Sequence, residues 1–494
     1  MFSPSFYQIA PVIALCASLA AVPLIAISGS RPNLREFWTF LAAGIKFAMV
    51  FALAGWVLAG NVVEVELIRV LPELSIALRV DSFGMVFALV SSFLWIIAAT
   101  YTIGYMRGLN EHAQTRFMVC FALSLCAAIG VAFSANLLTM YIFYEMLSLS
   151  TYPLVAHHQD RDALGGARKY LAFLLGGSVG LVLPAMIVIF AIAGTLDFAD
   201  GIHAGIIPDG TGTTLVVILF FACLFGFAKN GIMPMHAWLP GAMVAPTPVS
   251  ALLHAVAVVK VGVFCTTRVM LYVFGIDLMD ELSLGVITAY IVSFTIVTAS
   301  IIALTKDNLK ARLAYSTVSQ LSYIVLGVAL LSPMAIQGGL IHIVNHAFAK
   351  ITLFFCAGAI YVATHKKNIS ELGGLGRVMP FTFGAFAVAS LSMIGAPPVG
   401  GFVSKWYLLV GALDAGQIAI IMVLLASTML NVAYFAPVVY QAFFGKPPAG
   451  EVLPTGVREA PLIMVAPIVL AAAISLFIGI YPELMMQFVR MVMP

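Results

Sequence analysis

The sequence predicts an all-α protein that crosses a membrane about fourteen times with both termini outside, and three observations support this. Of its 494 residues, 62% are hydrophobic and only 9% are charged, whereas a soluble domain carries about 25% charged residues. Long apolar runs recur along the chain, and basic residues collect between alternate runs. This composition excludes a soluble enzyme, a disordered chain and a nucleic-acid-binding protein. The net charge of +3 is too small to indicate a polyanionic partner.

Each predicted helix is an apolar run of the roughly 20 residues that a bilayer requires. The fourteen runs lie at 8–28, 38–60, 81–105, 116–134, 136–156, 164–194, 213–237, 248–275, 283–305, 312–331, 334–364, 379–413, 417–443 and 461–486. No basic residue precedes the first run, which favours a membrane helix over a cleaved signal peptide. After the second helix, Val62–Val80 alternates apolar and polar residues around Pro72, which predicts a β-hairpin on the outer surface.

The basic residues orient the predicted helices. Loops that follow odd-numbered helices hold fifteen of the 24 lysines and arginines: Arg31, Arg35, Arg107, Arg116, Arg161, Arg168, Lys169, Lys306, Lys310, Arg312, Lys366, Lys367, Arg377, Lys446 and Arg458. The opposite side holds three, namely Arg69, Arg79 and Arg490. Because basic loops stay in the cytoplasm, both termini are predicted to face outward.

No cofactor site is visible in the sequence. The six cysteines lie in apolar runs and form no CxxC pair, which argues against a disulfide framework, an iron–sulfur cluster or a zinc site. Neither a GxGxxG turn nor a GxxxxGK[ST] loop occurs, so no nucleotide-binding module is expected. We expect neither a cofactor nor a metal in this chain.

Seven charged residues fall inside predicted spans: Lys46, Glu145, Lys229, Lys260, Arg268, Lys350 and Lys405. A charge at the bilayer centre costs about 2.5–3.5 kcal/mol even on the most lenient scale. Such a set persists when its members face one another or water, and it indicates an ion or proton path. Lys46 and Arg268 have no helix break or polar stripe nearby, so we interpret them as structural, with Arg268 near the outer interface.

Glu145 lies in a polar stripe. Tyr141, Glu145, Ser148 and Tyr152 follow one another at spacings of 4, 3 and 4 residues, which places them on one face of a helix. This pattern favours a carboxyl group that titrates. The alternative is a carboxylate that one lysine holds for packing.

Lys229 precedes a predicted helix break, since Gly231 and Pro234 follow it within five residues. Proline removes a backbone donor, and in lipid such a break is tolerated only where protein or water satisfies the freed groups. Transporters use broken helices to place charges in wet cavities. The alternative is a lysine that extends to the cytoplasmic interface.

His342, His346 and Lys350 are spaced by four residues, so they stack along one helical face over about 12 Å. This pattern suits a proton relay, because histidine titrates near neutral pH. The alternatives are histidines that only bond neighbouring helices, or haem ligation, which a shared face disfavours. His254 and Lys260 are six residues apart, so on a regular helix they cannot face one groove, although both are expected to line the interior.

Lys405 follows a second predicted break. Thirty-six residues separate Arg377 from Asp414, whereas about twenty cross a bilayer. The stretch Gly395–Gly401, which contains Pro397, Pro398, Gly400 and Gly401, predicts two half-helices with an unwound break between them.

Several of these motifs together resemble one family, the proton-conducting antiporters shared by Mrp-type sodium/proton antiporters, complex I and membrane-bound hydrogenases. The matching stretches are Tyr144–Tyr152, Ala228–Gly231, His236–Pro240, Ala245–Ala255, Lys310–Gln320, Asn345–Lys350 and Gly401–Lys405. They extend over about 300 residues, so the resemblance is specific.

The resemblance implies an architecture and a role for each matched residue. The architecture is two inverted five-helix repeats, 116–275 and 283–443, flanked by 1–105 with the hairpin and by the last helix within 461–494. The implied path runs from Glu145 paired with Lys229, through Lys260 with His254 beside it, to His346 and Lys350, and ends at Lys405.

Within the family, Lys405 and the sequence around it are most similar to the D subunit of Mrp antiporters. That resemblance implies partner subunits, both a homologous large one and small ones, in the cytoplasmic membrane of a prokaryote, with H⁺ and Na⁺ as transported ions. Because hard cations take oxygen ligands and the spans hold one carboxylate, we expect Na⁺ to pass elsewhere. The alternatives are a pumping subunit of a complex I-like or hydrogenase complex, and a proton-conducting subunit of an inorganic-carbon uptake complex.

Overall fold

The computed structural model describes residues 3–448, 450, 453–454 and 456–493, and most of them are helical. The α-helices are α1 (Pro4–Ile27), α2 (Pro32–Leu58), α3 (Ser82–Gly108), α4 (Gln114–Ala132), α5 (Leu137–Val155), α6 (Arg161–Gly177), α7 (Leu183–Ala193), α8 (Thr213–Gly226), α9 (Trp238–Gly241), α10 (Thr247–Ala251), α11 (Val258–Val269), α12 (Ile276–Glu281), α13 (Leu284–Leu304), α14 (Leu309–Ala329), α15 (Pro333–Thr364), α16 (Leu375–Val378), α17 (Pro380–Ile394), α18 (Gly400–Asp414), α19 (Ile418–Phe444), α20 (Leu462–Ile480) and α21 (Glu483–Arg490).

Ten helical segments of the described chain are long and apolar enough to cross a membrane. They are α1 to α4, the run α6–α7, the run from α10 to Phe274, α13, α15, α19 and α20. The chain is therefore a multi-pass membrane protein. The other four predicted spans coincide with α5, with α14, with the short helix α8 and with the interrupted pair α17–α18, so the count of fourteen crossings stays a prediction.

The last predicted span, 461–486, is wrong at its C-terminal end. Helix α20 stops at Ile480, and the separate short helix α21 begins at Glu483. Pro482 lies between the two helices, and proline lacks the backbone N–H that a continuous helix needs. The polar ends of α21 also pair with each other, since Arg490 Nη1 lies 2.8 Å from Glu483 Oε1.

The alternating segment after α2 forms a hairpin, as its pattern predicts. Strand β1 (Val63–Leu71) pairs antiparallel with β2 (Leu74–Val80). The hairpin packs on the neighbouring loops: Leu78 forms a bridge with Ser134, and Arg79 Nη2 binds Asp200 Oδ1 at 2.9 Å. We call this side of the bundle the hairpin end.

The opposite side, which we call the basic end, comprises the loops 109–113, 156–160, 305–308 and 365–374. Its loops also bind one another. Asn308 forms a bridge with Asn368, and Arg107 Nη2 lies 2.6 Å from Glu36 Oε2 at the start of α2. Most of the fifteen basic residues of the odd-numbered loops lie in or beside these loops.

Helix α15 is the centre of the bundle. Every residue from Gly338 to Ile360 is buried, although helices at the edge expose large apolar side chains such as Ile27, Ile418 and Leu462. Exposed apolar side chains on edge helices face lipid favourably. The predicted titratable groups of α15 therefore lie in the protein interior.

Candidate functional site

The first break in a membrane segment surrounds Lys229. Helix α8 ends at Gly226, a single 3₁₀ turn covers Ala228–Asn230, and Gly231 has a positive φ of 73°. The Asn230 side chain satisfies freed backbone groups here: its amide donates to the Leu224 carbonyl at 2.7 Å, and its oxygen accepts from the Ile232 N–H at 3.0 Å. These backbone groups, which the break frees, are thus hydrogen-bonded by protein, as a membrane interior requires.

The Lys229 ammonium group is fully buried and bound to α5. Its Nζ donates to the Tyr144 carbonyl at 2.8 Å and to Ser148 Oγ at 2.6 Å, and it lies 3.0 Å from the centre of the Tyr144 ring. On the other side, Gly262 of α11 packs directly on the Lys229 backbone, where a larger residue would clash. The lysine is therefore enclosed between α5 and α11.

Glu145 is not in an ion pair with Lys229 in the described part of the chain. Its two carboxylate oxygens are buried and have no hydrogen-bond partner there. The side chain lines a groove of about 610 Å³ on α5, together with Tyr141 and Leu149. The predicted polar stripe is therefore divided: Ser148 faces the lysine, and Glu145 faces the groove.

Lys260 and His346 form a direct contact at the centre of the bundle. Lys260 Nζ lies 2.7 Å from His346 Nδ1, and both side chains are buried. At this distance, one of the two nitrogens must donate a hydrogen to a lone pair of the other. The contact therefore accommodates at most one excess proton, which either a lysinium with a neutral imidazole or a neutral amine with an imidazolium can hold.

His254 and Lys260 are both buried and both face α15, because the helix between them is not regular. Residues 252–256 form a wide π-type turn, and the backbone departs from helix at Ala257. This irregularity removes the 120° offset of a regular helix. The His254 ring lies 4.6 Å from the Phe354 ring of α15, and neither ring nitrogen has a hydrogen-bond partner among the described residues.

His342 connects three helices. Its Nδ1 lies 2.8 Å from Ser404 Oγ in α18, and its Nε2 lies 3.1 Å from Gln320 Oε1 in α14. The His342 and His346 rings are 5.9 Å apart. The two histidines thus extend the Lys260 contact along α15 toward α18.

Lys405 lies beyond Ser404 and next to the second break. Its Nζ donates to the Ile394 carbonyl at 2.9 Å and lies 5.2 Å from the centre of the Tyr323 ring. The Ile394 carbonyl is at the C-terminal end of α17, where an ammonium group is favourable because the helix dipole is negative there.

The second break is shorter than the predicted one. Helix α17 ends at Ile394 and α18 begins at Gly400, so the irregular residues are 395–399, which include Pro397 and Pro398. Gly400 and Gly401 lie in the first turn of α18. The Asn345 side chain of α15 donates to the Gly400 carbonyl at 2.6 Å, which fixes this turn against the histidine-bearing helix.

Lys350, the third group of the predicted stack on α15, contacts α14. Its Nζ donates to the Leu313 carbonyl at 3.2 Å and to Ser316 Oγ. Sequence reasoning missed Ser316, Gln320 and Ser404 as partners of the titratable groups, and Asn345 as the residue that holds Gly400. The polar run in α14, which includes Ser316 and Gln320, is a signal that could have indicated two of them.

Lys46 and Arg268 lie apart from these contacts. Lys46 Nζ donates to the Leu125 carbonyl at 2.7 Å. Arg268 Nη2 pairs with Asp81 Oδ2 at 2.5 Å near the hairpin end, and its guanidinium lies 4.4 Å from the centre of the Tyr272 ring. A backbone carbonyl binds Lys46 and a carboxylate binds Arg268. These contacts are consistent with the structural role predicted for both residues.

The sequence of this chain matches the profile of a known family over residues 134–431, that of the NADH:quinone oxidoreductase/Mrp antiporter transmembrane subunits. NADH-quinone oxidoreductase subunit N of Desulforudis audaxviator is 31% identical over 484 residues, covering 96% of this chain and 95% of the relative. Na⁺/H⁺ antiporter subunit A1 of Staphylococcus haemolyticus is 30% identical over 473 residues, and this chain matches 57% of that relative's length.

Two solved complexes contain a chain with the same fold. The Mrp complex from Dietzia sp. DQ12-45-1b aligns with a TM-score of 0.87 at 22% identity, over 98% of this chain and 96% of the other. A chain of the membrane-bound sulfane sulfur reductase, an archaeal respiratory complex, aligns with a TM-score of 0.86 over the same shares. The resemblance stated from the motifs is confirmed, and the chain belongs to the NADH:quinone oxidoreductase/Mrp antiporter family of transmembrane subunits.

Proposed function

We propose that this chain is the proton-translocating subunit of a multisubunit Na⁺/H⁺ antiporter. The observation that carries the proposal is the Lys260–His346 contact, in which two buried titratable groups lie 2.7 Å apart, within hydrogen-bond distance for proton transfer. A buried charge is costly, and a pair that only stabilised the bundle would be replaced favourably by apolar side chains. Proton transfer accounts for its presence.

The proposed path begins at Lys229 and ends at Lys405. A proton enters at Glu145 and Lys229, passes Lys260 with His254 beside it, and continues through His346 and His342. Ser404 and Gln320 bond His342 and lead to Lys405. Lys350 bonds Ser316 of α14 and forms a side branch from the same helix.

The Glu145–Lys229 pair is proposed to open and close during transport. The lysine bonded to Ser148 and Tyr144 represents the open arrangement. A rotation of either side chain would bring the ammonium to the unpartnered carboxylate, and that ion pair would favour the protonated lysine. Breaking the pair would then release the proton toward Lys260.

The proposed architecture has fourteen crossings and two inverted five-helix repeats, 116–275 and 283–443. Two features support it: each repeat contains a broken segment next to a lysine, and these lysines are the buried Lys229 and the half-buried Lys405. In this architecture both termini face outward. The segments 1–105 and 461–494 then flank the repeats.

We place the chain in the cytoplasmic membrane of a prokaryote, as a transporter subunit that is not itself an enzyme. Its partners are a homologous large subunit and small subunits, and Na⁺ crosses in a partner. Support comes from the similarity to Na⁺/H⁺ antiporter subunit A1 and from the fold shared with a chain of an Mrp complex.

A pumping subunit of a complex I-like assembly is the second candidate function. One observation favours it: the match to NADH-quinone oxidoreductase subunit N covers 95% of that relative, whereas the match to antiporter subunit A1 covers 57%. In such an assembly, electron transfer in other subunits would drive the same buried groups.

Everted membrane vesicles distinguish the two candidates. The chain would be produced with the products of neighbouring genes, and a pH-sensitive dye would report the proton gradient. The antiporter proposal predicts that added Na⁺ collapses the gradient only when the partners are present. Gradient formation that requires an electron donor and ignores Na⁺ would contradict it and favour the redox pump.

A further inference from the structure

A second cluster of titratable side chains lies at the basic end, outside the proposed path. Glu111 and His112 belong to the loop between α3 and α4, and His157 and His158 follow α5. All three imidazoles approach one oxygen, Glu111 Oε2: the distances are 3.5 Å from His157 Nε2, 3.8 Å from His158 Nδ1 and 3.9 Å from His112 Nδ1.

The ligand atoms of Glu111, His112 and His157 lie within 4.8 Å of one another. In a tetrahedral zinc site the metal–nitrogen distance is about 2.0–2.1 Å, so neighbouring ligand atoms are about 3.3 Å apart. The ligand atoms need to move together by at most about 1.5 Å to reach that geometry.

His157 gives independent evidence for a ligand. Its side chain is fully buried, yet neither ring nitrogen forms a hydrogen bond among the described residues, although Nε2 lies 3.5 Å from Glu111 Oε2. Leaving a buried polar group unpaired costs about 1–3 kcal/mol. A metal ion beside Glu111 would give Nε2 a partner.

His112 is already oriented as a metal ligand. Its Nε2 lies 2.9 Å from the His157 carbonyl oxygen and therefore donates to it, which leaves the Nδ1 lone pair free and directed at the cluster. Ligating histidines in proteins commonly donate their other N–H to a backbone carbonyl in this way. Arg116 Nη2 donates to the same carbonyl at 2.9 Å.

We propose that Glu111, His112, His157 and His158 bind a divalent transition-metal ion of the Zn²⁺ class. Imidazoles with one carboxylate suit Zn²⁺, Co²⁺ and Ni²⁺, whereas Mg²⁺ and Ca²⁺ prefer all-oxygen sites. The cysteine pattern of the sequence predicted no metal site. The four residues of this site come from two loops that only the fold brings together.

The ion would join the two loops beside a cavity of about 430 Å³. Glu111 and His158 line this cavity, as do Lys310 and Lys366. Lys310 Nζ donates to the Ala245 carbonyl at 2.6 Å at the base of the segment that carries His254. Metal binding would thus restrain the wall of this cavity that Glu111 and His158 form.

Cobalt binding tests the proposal without any transport assay. The full chain would be purified through a tag that lacks histidine and titrated with Co²⁺, whose visible absorption reports tetrahedral nitrogen and oxygen ligands. We expect one ion per chain, displacement by Zn²⁺, and affinity reduced roughly tenfold or more in His157→Gln and Glu111→Gln. His365→Gln, an exposed histidine at the same end, is the matched control and should bind as the parent does.

Thermal unfolding covers the case in which His157→Gln fails to fold. The partly exposed His112 can be replaced by Gln instead, and Zn²⁺ should raise the Tm of the parent and of His365→Gln but not of His112→Gln. Absence of a tetrahedral cobalt spectrum in the parent, or equal affinity in all variants, would overturn the proposal.

Discussion

Lys260 and His346 set the chemistry of this protein at the scale of single residues. Their nitrogens are 2.7 Å apart, so adding a second proton would place two cations in contact in a medium of low dielectric constant. The pair can therefore hold at most one excess proton. A relay needs this property, because an arriving proton must displace the one already held.

A double-mutant cycle tests whether Lys260 and His346 act as one unit. We expect Lys260→Met and His346→Gln each to reduce proton flux roughly tenfold or more, and the double variant to lose no more than the stronger single variant, since residues in contact are not additive. The measurement is the initial rate of the dye response in vesicles with equal amounts of assembled protein. Fully additive losses would show that the two residues act separately.

The titratable residues of the site could be predicted from the sequence, but most of their partners could not. Lys229, Lys260 and Lys405 are visible because a lysine inside an apolar run is costly and rare. Ser404 and Ser316 carry no such signal, since serine in a membrane helix commonly bonds its own backbone. The side-chain direction of Glu145 also could not be predicted from the sequence. Glu145 and Ser148 belong to one polar stripe, but they face two neighbouring surfaces of α5.

At the scale of elements, the breaks between helices place the lysines. Gly401 shows how tightly the second break is packed: a Cβ at this position would clash with the Ser392 carbonyl of α17. The first turn of α18 can therefore approach the end of α17 only with glycine here. This approach holds Ser404 beside His342 and Lys405 beside Ile394.

Two glycine-to-alanine variants test this packing. Gly401→Ala should destabilise the protein by about 1–3 kcal/mol because it overpacks the α17–α18 contact. Gly384→Ala in α17, where an added Cβ meets nothing within 4 Å, should be neutral or stabilise by about 0.4–1 kcal/mol. The measurement is the Tm of each purified variant. A Gly401→Ala variant as stable as Gly384→Ala would refute the proposed close contact.

Proline and glycine made both breaks predictable, whereas the irregular turn before Lys260 was not. The residues from Leu252 to Ala257 include neither Pro nor Gly, so the sequence favours a regular helix there. Tertiary packing against α15 determines the actual geometry. As a result His254 and Lys260 face the same helix, which their spacing on a regular helix would not allow.

At the scale of the whole molecule, loop contacts sort the chain into a hairpin end and a basic end. The basic end holds Arg107, Lys306 and Lys366, whereas the opposite loops carry Asp200 and Asp277. The positive-inside rule then predicts that the basic end faces the cytoplasm. Composition and loop charge were sufficient for this level of prediction, because they depend on the solvent around each segment and not on side-chain packing.

Cysteine accessibility tests the orientation. In a parent whose six cysteines are replaced, Asp209→Cys in an exposed loop of the hairpin end should react with a membrane-impermeant maleimide in intact cells. Lys367→Cys, exposed at the basic end, should react only after the cells are opened. The reverse pattern would invert the orientation, and with it the direction assigned to the proton path.

Proton flux through Lys229→Ala, compared with Lys46→Ala, tests the central claim most directly. Both lysines are buried and bonded to a backbone carbonyl, but only Lys229 lies on the proposed path. With assembly verified for both complexes in everted vesicles, we expect Lys229→Ala to abolish proton movement and Lys46→Ala to retain it. Full activity in an assembled Lys229→Ala complex would contradict the claim that protons cross along this line of residues.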